Sequence, residues 1–185
     1  MNNFLVDCAI YKILGGNDTY PILSNHQIAV NFQNNTLTAD DIRQYILTNF
    51  LNQWRSRIPN RKLQLIANNL IDILPANTLQ NENLLTSNLD SLRNDIILIY
   101  NQLTLIDGIG PTSASKLLSL IQPDLFVMWD GAIRWNLSFR PNASGYFSFL
   151  KSMQNEAIRL QQEYENNNRL NSDFQYLNEY VSNRM

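Results

Sequence analysis

Residues 105–118 read LIDGIGPTSASKLL, and this stretch decides how the chain on either side of it folds. Apolar residues upstream of it recur at the spacing of one helical face, namely Leu92, Ile96, Ile99 and Leu103. Apolar residues downstream follow the same rule, namely Ala114, Leu117, Leu118 and Ile121. Gly108 and Gly110 permit a sharp reversal, and Pro111 suits the first position of the next helix. The sequence therefore predicts a helical hairpin at about 92–121.

The remaining sequence also favours helices. Thr38 is a predicted cap for a long amphipathic helix that Pro59 ends. Further helices are predicted over residues 3–14, 61–74, 143–166 and 172–183, with a short one beginning at Asp130. Residues 17–37 fit a short strand or a helical turn, and both alternatives stay open. We expect an all-α compact helical bundle forming one domain over residues 1–185.

Composition restricts the chemistry. The 185 residues carry a formal net charge of −2, so any nucleic-acid contact has to be local. Cys8 and His26 are the only residues of their types, which excludes an intramolecular disulfide, a cysteine cluster and a histidine-rich metal site. We expect no metal. No apolar run reaches the length of a membrane span, and a basic leader is absent, so we expect a cytoplasmic monomer that does not enter a membrane.

The hairpin loop also has the features of an anion site. Ile109 is placed to anchor the loop in the core, which leaves the amides of Gly110 and of the residues opening the next helix facing outward. Thr112 and Ser113 add hydroxyl groups, and Lys116 adds a charge one turn further on. The plainer alternative is a turn with no ligand, because many helical hairpins use the same residues.

This stretch resembles the helix-hairpin-helix motif, which is hydrophobic-x-Gly-hydrophobic-Gly-x-x-x-Ala-x-x-hydrophobic. The matching residues are Ile106, Gly108, Ile109, Gly110, Ala114 and Leu117. DNA glycosylases of the endonuclease III and adenine glycosylase superfamily, which are built on this motif, place a catalytic aspartate at a near-fixed distance downstream. Asp130 lies 20 residues after Gly110, and its setting MWDGAIRW is similar to the adenine-excising branch. The resemblance covers roughly 105–138.

The resemblance implies roles for individual residues. Gly108, Gly110, Thr112, Ser113 and Lys116 would bind DNA phosphates. Asp130 would stabilise the positive charge that develops on deoxyribose and would guide water, and its alternative role is that of a helix cap. A pocket for the extruded base would draw on aromatic residues, namely Trp129, Trp135, Tyr146 and Phe147. For both tryptophans, packing in the core is the alternative. No cofactor is implied beyond a monovalent cation on the hairpin carbonyls.

The chain departs from that family at several positions. Thr112 stands where bifunctional glycosylases carry a lysine, which implies base removal without strand cleavage. Arg134 is four residues after Asp130, and Trp135 takes the fifth place, where an arginine is usual. Glu82 and Asp90 sit in no context that matches a second catalytic acid.

One basic stretch, WRSRIPNRK, is a candidate for further backbone contacts through Arg55, Arg57, Arg61 and Lys62, or else a solvated helix end. The sequence thus predicts a DNA-binding protein, with RNA as the other ligand, that acts as a monofunctional glycosylase on a damaged or modified base. The alternatives are a non-catalytic nucleic-acid-binding module and a helical protein-interaction domain.

Overall fold

The computed structural model describes residues 36–53, 56–73, 79, 81–122 and 124–166, and within these ranges the fold is all-α. Helix α1 opens with the turn Ala39–Asp41 and continues as a π-helix over Ile42–Asn52. The later helices are α2 (Asn60–Ile73), α3 (Arg93–Thr104), α4 (Pro111–Ile121), α5 (Gly131–Asn136) and α6 (Ala143–Asn166). The bounds of α6 are those that the sequence predicts.

Side chains at both ends of α1 determine where it begins and ends. The Thr38 hydroxyl accepts a hydrogen bond from the Asp41 amide at 3.1 Å, and the Thr38 amide donates to the Asp41 carboxylate at 3.0 Å. This capping box confirms Thr38 as the predicted cap. The helix ends at Asn52 rather than at Pro59. Its end comes early because the Asn52 side chain binds both backbone groups of Ile58, accepting at 2.7 Å and donating at 3.0 Å.

The core forms where successive helices pack together, α1 on α2, α2 on α3 and α3 on α4. Helix α3 buries Ile96, Ile99 and Leu103, three of the four residues predicted for its inner face. The fourth, Leu92, precedes the helix and is half-buried. Helix α4 buries the predicted Ala114, Leu117 and Leu118. The helical hairpin is therefore confirmed as a structural unit.

Helix α5 ends in a tight cap that turns the chain into α6. The Phe139 amide donates to the Arg134 carbonyl at 3.0 Å, and the Ser138 amide donates to the Trp135 carbonyl at 3.2 Å. This is the hydrogen-bond pattern of a Schellman motif, with Ser138 at the left-handed position and a φ of 59°. The Phe139 ring then packs edge-on against Phe149 of α6, with ring centroids 5.9 Å apart.

Internal contacts divide the chain into two units, Pro21–Asn155 and Met1–Tyr20 with Glu156–Met185. The candidate site lies wholly in the first unit, and residues 156–166 are the described part of the second. The helices predicted at 3–14 and 172–183 lie outside the described residues, as do Cys8, His26 and most of 17–37. No helix within the described ranges combines the length and apolarity needed to cross a membrane.

We expect Ser138→Gly to stabilise the protein by about 0.5–1 kcal/mol, because a left-handed backbone costs a residue with a Cβ and costs glycine little. Urea unfolding of wild type and variant measures the difference. Ser144→Gly, an exposed helical position of α6, is the control and should lower stability instead. If Ser138→Gly unfolds at a lower urea concentration than wild type, the left-handed backbone of Ser138 does not cost the protein stability.

Candidate functional site

The hairpin loop reverses the chain between α3 and α4 at Gly108. Its φ of +104° lies in the region that favours glycine, and a Cβ there would stand 3.0 Å from Ile66 Cδ1. The Ile109 amide donates to the Ile106 carbonyl at 2.9 Å, and the Ile109 side chain is buried as the sequence predicts. Gly108 is therefore required by both the backbone geometry and the packing of α2.

Gly110 has a different environment from Gly108. It caps α4 in an ordinary extended conformation, with φ −84° and ψ 176°, and its side chain position is open, since a Cβ would meet no atom within 4 Å. Among the described residues, none accepts a hydrogen bond from the amides of Gly110, Thr112 or Ser113. Pro111 has no amide hydrogen. The first turn of α4 thus has three donors for which the described part of the chain supplies no acceptor.

The predicted polar residues on α4 are buried or half-buried. Ser113 is buried, Thr112 is half-buried, and Lys116 is only 8% exposed. Burial lowers the pKa of Lys116, and the nearby charge of Asp130 partly offsets that shift. Only a small part of Lys116 is open to a ligand, and its predicted contact with a phosphate stays a prediction. Lys116 also lies within electrostatic range of Asp130.

Trp129 connects the segment after α4 to the first turn of α4. Its indole Nε1 donates to the Pro111 carbonyl at 3.1 Å, and its backbone amide donates to the Ser115 hydroxyl at 3.2 Å. The Ser115 oxygen also lies 3.1 Å from the Trp129 carbonyl, and Tyr100 donates its hydroxyl to the same Pro111 carbonyl at 3.1 Å. These bonds fix residue 129 against residues 111–115.

An aromatic cluster surrounds this connection. Tyr100 and Tyr146 stack with ring centroids 4.6 Å apart, Trp129 meets Tyr146 edge-on at 5.1 Å, and Phe149 lies 5.4 Å from Trp129. The Tyr146 hydroxyl donates to the Val127 carbonyl at 3.0 Å. Each such ring pair adds about 0.5–1.5 kcal/mol beyond its buried area. The cluster therefore holds α3, α6 and the segment before Asp130 together.

Most of the predicted base pocket lies inside this core. Trp129, Tyr146 and Phe147 are buried, so they do not form the wall of an open pocket. Core packing, the alternative for the tryptophans, holds for Trp129. Trp135 is the exception, because 85% of its surface is exposed.

Asp130 caps α5 and is exposed to solvent. Its Oδ1 accepts a hydrogen bond from the Ile133 amide at 2.8 Å, while Oδ2 accepts none from a described residue. The guanidinium of Arg134 lies 5.4 Å from the Trp129 ring centroid, and its Nε donates to the Asp130 carbonyl at 3.2 Å. Trp129 is hydrogen-bonded to Pro111. Asp130 directly follows Trp129 in the chain, so its backbone is held near the first turn of α4.

The predicted basic stretch adjoins the hairpin loop. Lys62 Nζ lies 2.7 Å from Asp107 Oδ2, and the Lys62 side chain passes 3.7 Å from the Cβ position of Gly108. Arg57 and Arg61 are exposed, and Arg57 has a positive φ of 55°. Arg55 lies outside the described residues. Of the patch, Lys62 thus contacts the loop, and its charge is paired to Asp107.

Two further residues, Ser115 and Asp107, position the site without having been predicted from the sequence. Ser115 lies among the apolar residues of α4 and is buried. A buried hydroxyl needs a hydrogen-bond partner, so a serine at this position of the apolar pattern could have indicated a bond to another segment. Asp107 received no role, since its link to Lys62 joins residues 45 positions apart in the chain. Such a long-range pair has no signature in a single sequence.

Searches against protein-family models, curated proteins and solved structures found no match. Among the described residues, no group of three or more histidine, cysteine or acidic side chains is arranged to hold a metal ion.

We expect stability to fall between about pH 10 and pH 12. Burial raises the pKa of Tyr100 to about 12 and raises the pKa of Tyr146 well above its usual value of 10.0. The folded chain therefore keeps protons that the unfolded chain releases, and the stabilisation is present below pH 10 and lost as pH rises toward 12. Lys116 acts with the opposite sign, because a lowered lysine pKa favours folding as pH rises.

Urea unfolding at a series of alkaline pH values measures this loss, which we expect to be on the order of 2 kcal/mol. Tyr146→Phe should flatten the profile, and Tyr45→Phe on α1 is the control outside the aromatic cluster. A profile for Tyr146→Phe as steep as that of wild type would contradict the assignment.

Proposed function

We propose that the protein binds duplex DNA through a helix-hairpin-helix formed by α3 and α4, and that it hydrolyses the N-glycosidic bond of a damaged or modified base with Asp130. One observation carries the proposal. The hydrogen bond from Trp129 to Pro111 joins the residue before Asp130 to the first turn of α4, and the Asp130 carboxylate is exposed. This bond supports a proposal in which the amides that open α4 and the Asp130 carboxylate act on one ligand, since both lie in the same unit.

The binding step rests on backbone donors. The amides of Gly110, Thr112 and Ser113 stand at the positive end of an 11-residue helix, which favours a phosphate oxygen. The absence of a side chain at Gly110 lets that phosphate approach closely. Arg57 and Arg61 supply charge for a neighbouring phosphate, since both are exposed and Arg61 adjoins Lys62, which contacts the loop. In a chain with a net charge of −2, attraction to DNA has to come from such local groups.

The chemical step needs a carboxylate that keeps its place while charge develops. As the bond between C1′ and the base nitrogen breaks, the base leaves with the bonding electrons and the sugar becomes positive. Asp130 Oδ2 stabilises that charge, and Oδ1 stays bound to the Ile133 amide. Water then adds its oxygen to C1′ and loses a proton to the carboxylate or to solvent, and the departed base takes up one proton from solvent, so that the free base and the sugar hydroxyl are the products. With Thr112 in place of a lysine, the product is an abasic site in an intact strand.

Gly110→Ala and Gly108→Ala separate binding from folding. Gly110→Ala should leave stability within about 0.5 kcal/mol, because its φ is ordinary and the Cβ meets nothing. It should weaken duplex binding about 10- to 100-fold by blocking the phosphate from charge-assisted hydrogen bonds. Gly108→Ala should cost about 1–2 kcal/mol in stability, because of its positive φ.

Fluorescence anisotropy of a labelled DNA duplex, titrated at two salt concentrations, measures the affinity, and an RNA duplex of the same sequence separates the two ligands. Asn69→Ala, at an exposed position of α2, is the control. If Gly110→Ala binds the duplex as tightly as wild type, the hairpin does not form the DNA-binding interface.

Asp130→Asn tests the chemistry without disturbing the fold, because asparagine caps a helix as well as aspartate does. Across a panel of duplexes that each carry one modified base, we expect wild type to produce alkali-labile abasic sites. The variant should produce them at least about 100-fold more slowly while its duplex affinity stays within about twofold. Asp124→Asn, another exposed carboxylate, is the control and should keep wild-type rates.

The same assay distinguishes the alternatives. Base release that is equal in wild type and Asp130→Asn contradicts the catalytic role. No release from any duplex, together with binding that Gly110→Ala weakens, identifies a non-catalytic module in which Asp130 only caps α5. No salt-dependent binding to either nucleic acid favours a protein-interaction domain.

A further inference from the structure

A shallow groove lies beside the residues of the proposed site, at the turn from α5 into α6. It encloses about 530 Å³, and we name it the Arg–Trp groove after the side chains that line it, which are Arg134, Trp135, Ser138, Phe139, Arg140 and Pro141. A second hollow of about 430 Å³ shares Ser138, Phe139 and Arg140 and continues along the start of α6. The groove has about the size of a small-ligand site.

The groove combines a bare aromatic ring with positive charge. Trp135 is 85% exposed, more than any other large hydrophobic side chain among the described residues. Arg134 and Arg140 lie in the same lining, and no carboxylate lines either hollow. Arg140 is exposed and makes no hydrogen bond or ion pair with its side chain to another described residue. The chemistry that complements this lining is a flat ring attached to an anion.

The groove is held rigidly although its ring is exposed. The Schellman motif after α5 fixes Ser138 and Phe139, and Phe139 is packed on Phe149. A Cβ at Gly145 would overlap the Arg140 carbonyl oxygen, so the backbone of the loop lies directly on α6. Arg134 is bound through Nε to the Asp130 carbonyl. Little ordering would therefore accompany binding.

We propose that the Arg–Trp groove binds an unpaired nucleotide of a nucleic-acid strand, with the base stacked on Trp135 and its phosphate on Arg140. Stacking on an exposed aromatic ring accepts any base, and an adjacent arginine pairs with the phosphate. The inference rests on the proposed function, because the nucleotide would belong to the DNA strand that reaches Asp130. Arg134, which lines the groove, donates a hydrogen bond to the Asp130 carbonyl. A groove that takes up unpaired nucleotides would favour DNA whose target base is already unstacked.

The experiment compares a labelled single-stranded oligonucleotide of 12 mixed nucleotides with the corresponding duplex, by fluorescence anisotropy. We expect Trp135→Ala to weaken single-strand binding about 5- to 150-fold, and Trp135→Phe to restore part of it, since phenylalanine also stacks. Leu65→Ala, an exposed apolar position on α2, is the matched control. Both positions are exposed, so neither substitution should change stability.

Arg140 is tested by the salt dependence of the same binding. Loss of one phosphate contact should reduce the slope of log affinity against log salt by about 0.7, so Arg140→Ala should show the reduction and Arg140→Lys should not. Arg43→Ala on α1, an arginine paired with Asp40, is the control. If the slope is unchanged in Arg140→Ala, Arg140 does not contact a phosphate in the groove.

The outcomes separate this inference from the proposed function. If wild type and Trp135→Ala bind the single strand within twofold of each other, the groove is not a nucleotide site, while the duplex results for Gly110→Ala stand independently. If wild type binds neither nucleic acid, both proposals fail. If sedimentation finds a wild-type dimer that Trp135→Ala converts to monomer, the groove is instead a self-association surface and the inference is overturned.

Discussion

The connection of Trp129 to the first turn of α4 is the constraint on which the rest of the site depends. Ser115 meets both the amide and the carbonyl of residue 129, and Pro111 accepts the indole hydrogen. A residue bound at its side chain and at both backbone groups has little freedom left. Because Asp130 follows it directly, these bonds hold the backbone next to Asp130, and the Ile133 amide holds its carboxylate.

The two glycines of the hairpin differ in why glycine is needed: Gly108 is needed for folding, whereas Gly110 leaves the backbone accessible to a ligand. Gly108 is required by the protein itself, since its φ is positive and Ile66 occupies the space next to it. Gly110 is required by nothing in the described structure, because its conformation is ordinary and its surroundings are empty. A ligand that needs the backbone at close range would make Gly110 necessary. The fold alone gives no reason for glycine at that position.

Local patterns predicted the parts of the structure that local physics controls. The hairpin, the Thr38 cap, the Asp130 cap and the bounds of α6 each follow from spacing or from one side chain next to its own backbone. The sequence did not indicate that Lys116 is only 8% exposed, because periodicity does not reveal how deeply a long side chain is buried. It also missed the end of α1 at Asn52, where one amide side chain outweighs the proline signal seven residues later. The proposed roles of Asp130 and of the hairpin amides stay predictions.

Trp129 is buried and Trp135 is exposed, and their shared residue type could not predict this difference. They lie six residues apart on either side of Asp130, and α5, which contains Trp135, is too short for its periodicity to indicate an inner face. Burial is decided instead by the two anchors of the segment, the Trp129 bonds at its start and the packing of Phe139 on Phe149 at its end. Residues between the anchors need no core contact of their own to be held in place. An aromatic ring can therefore stay exposed and still be ordered, which is the property that a stacking surface requires.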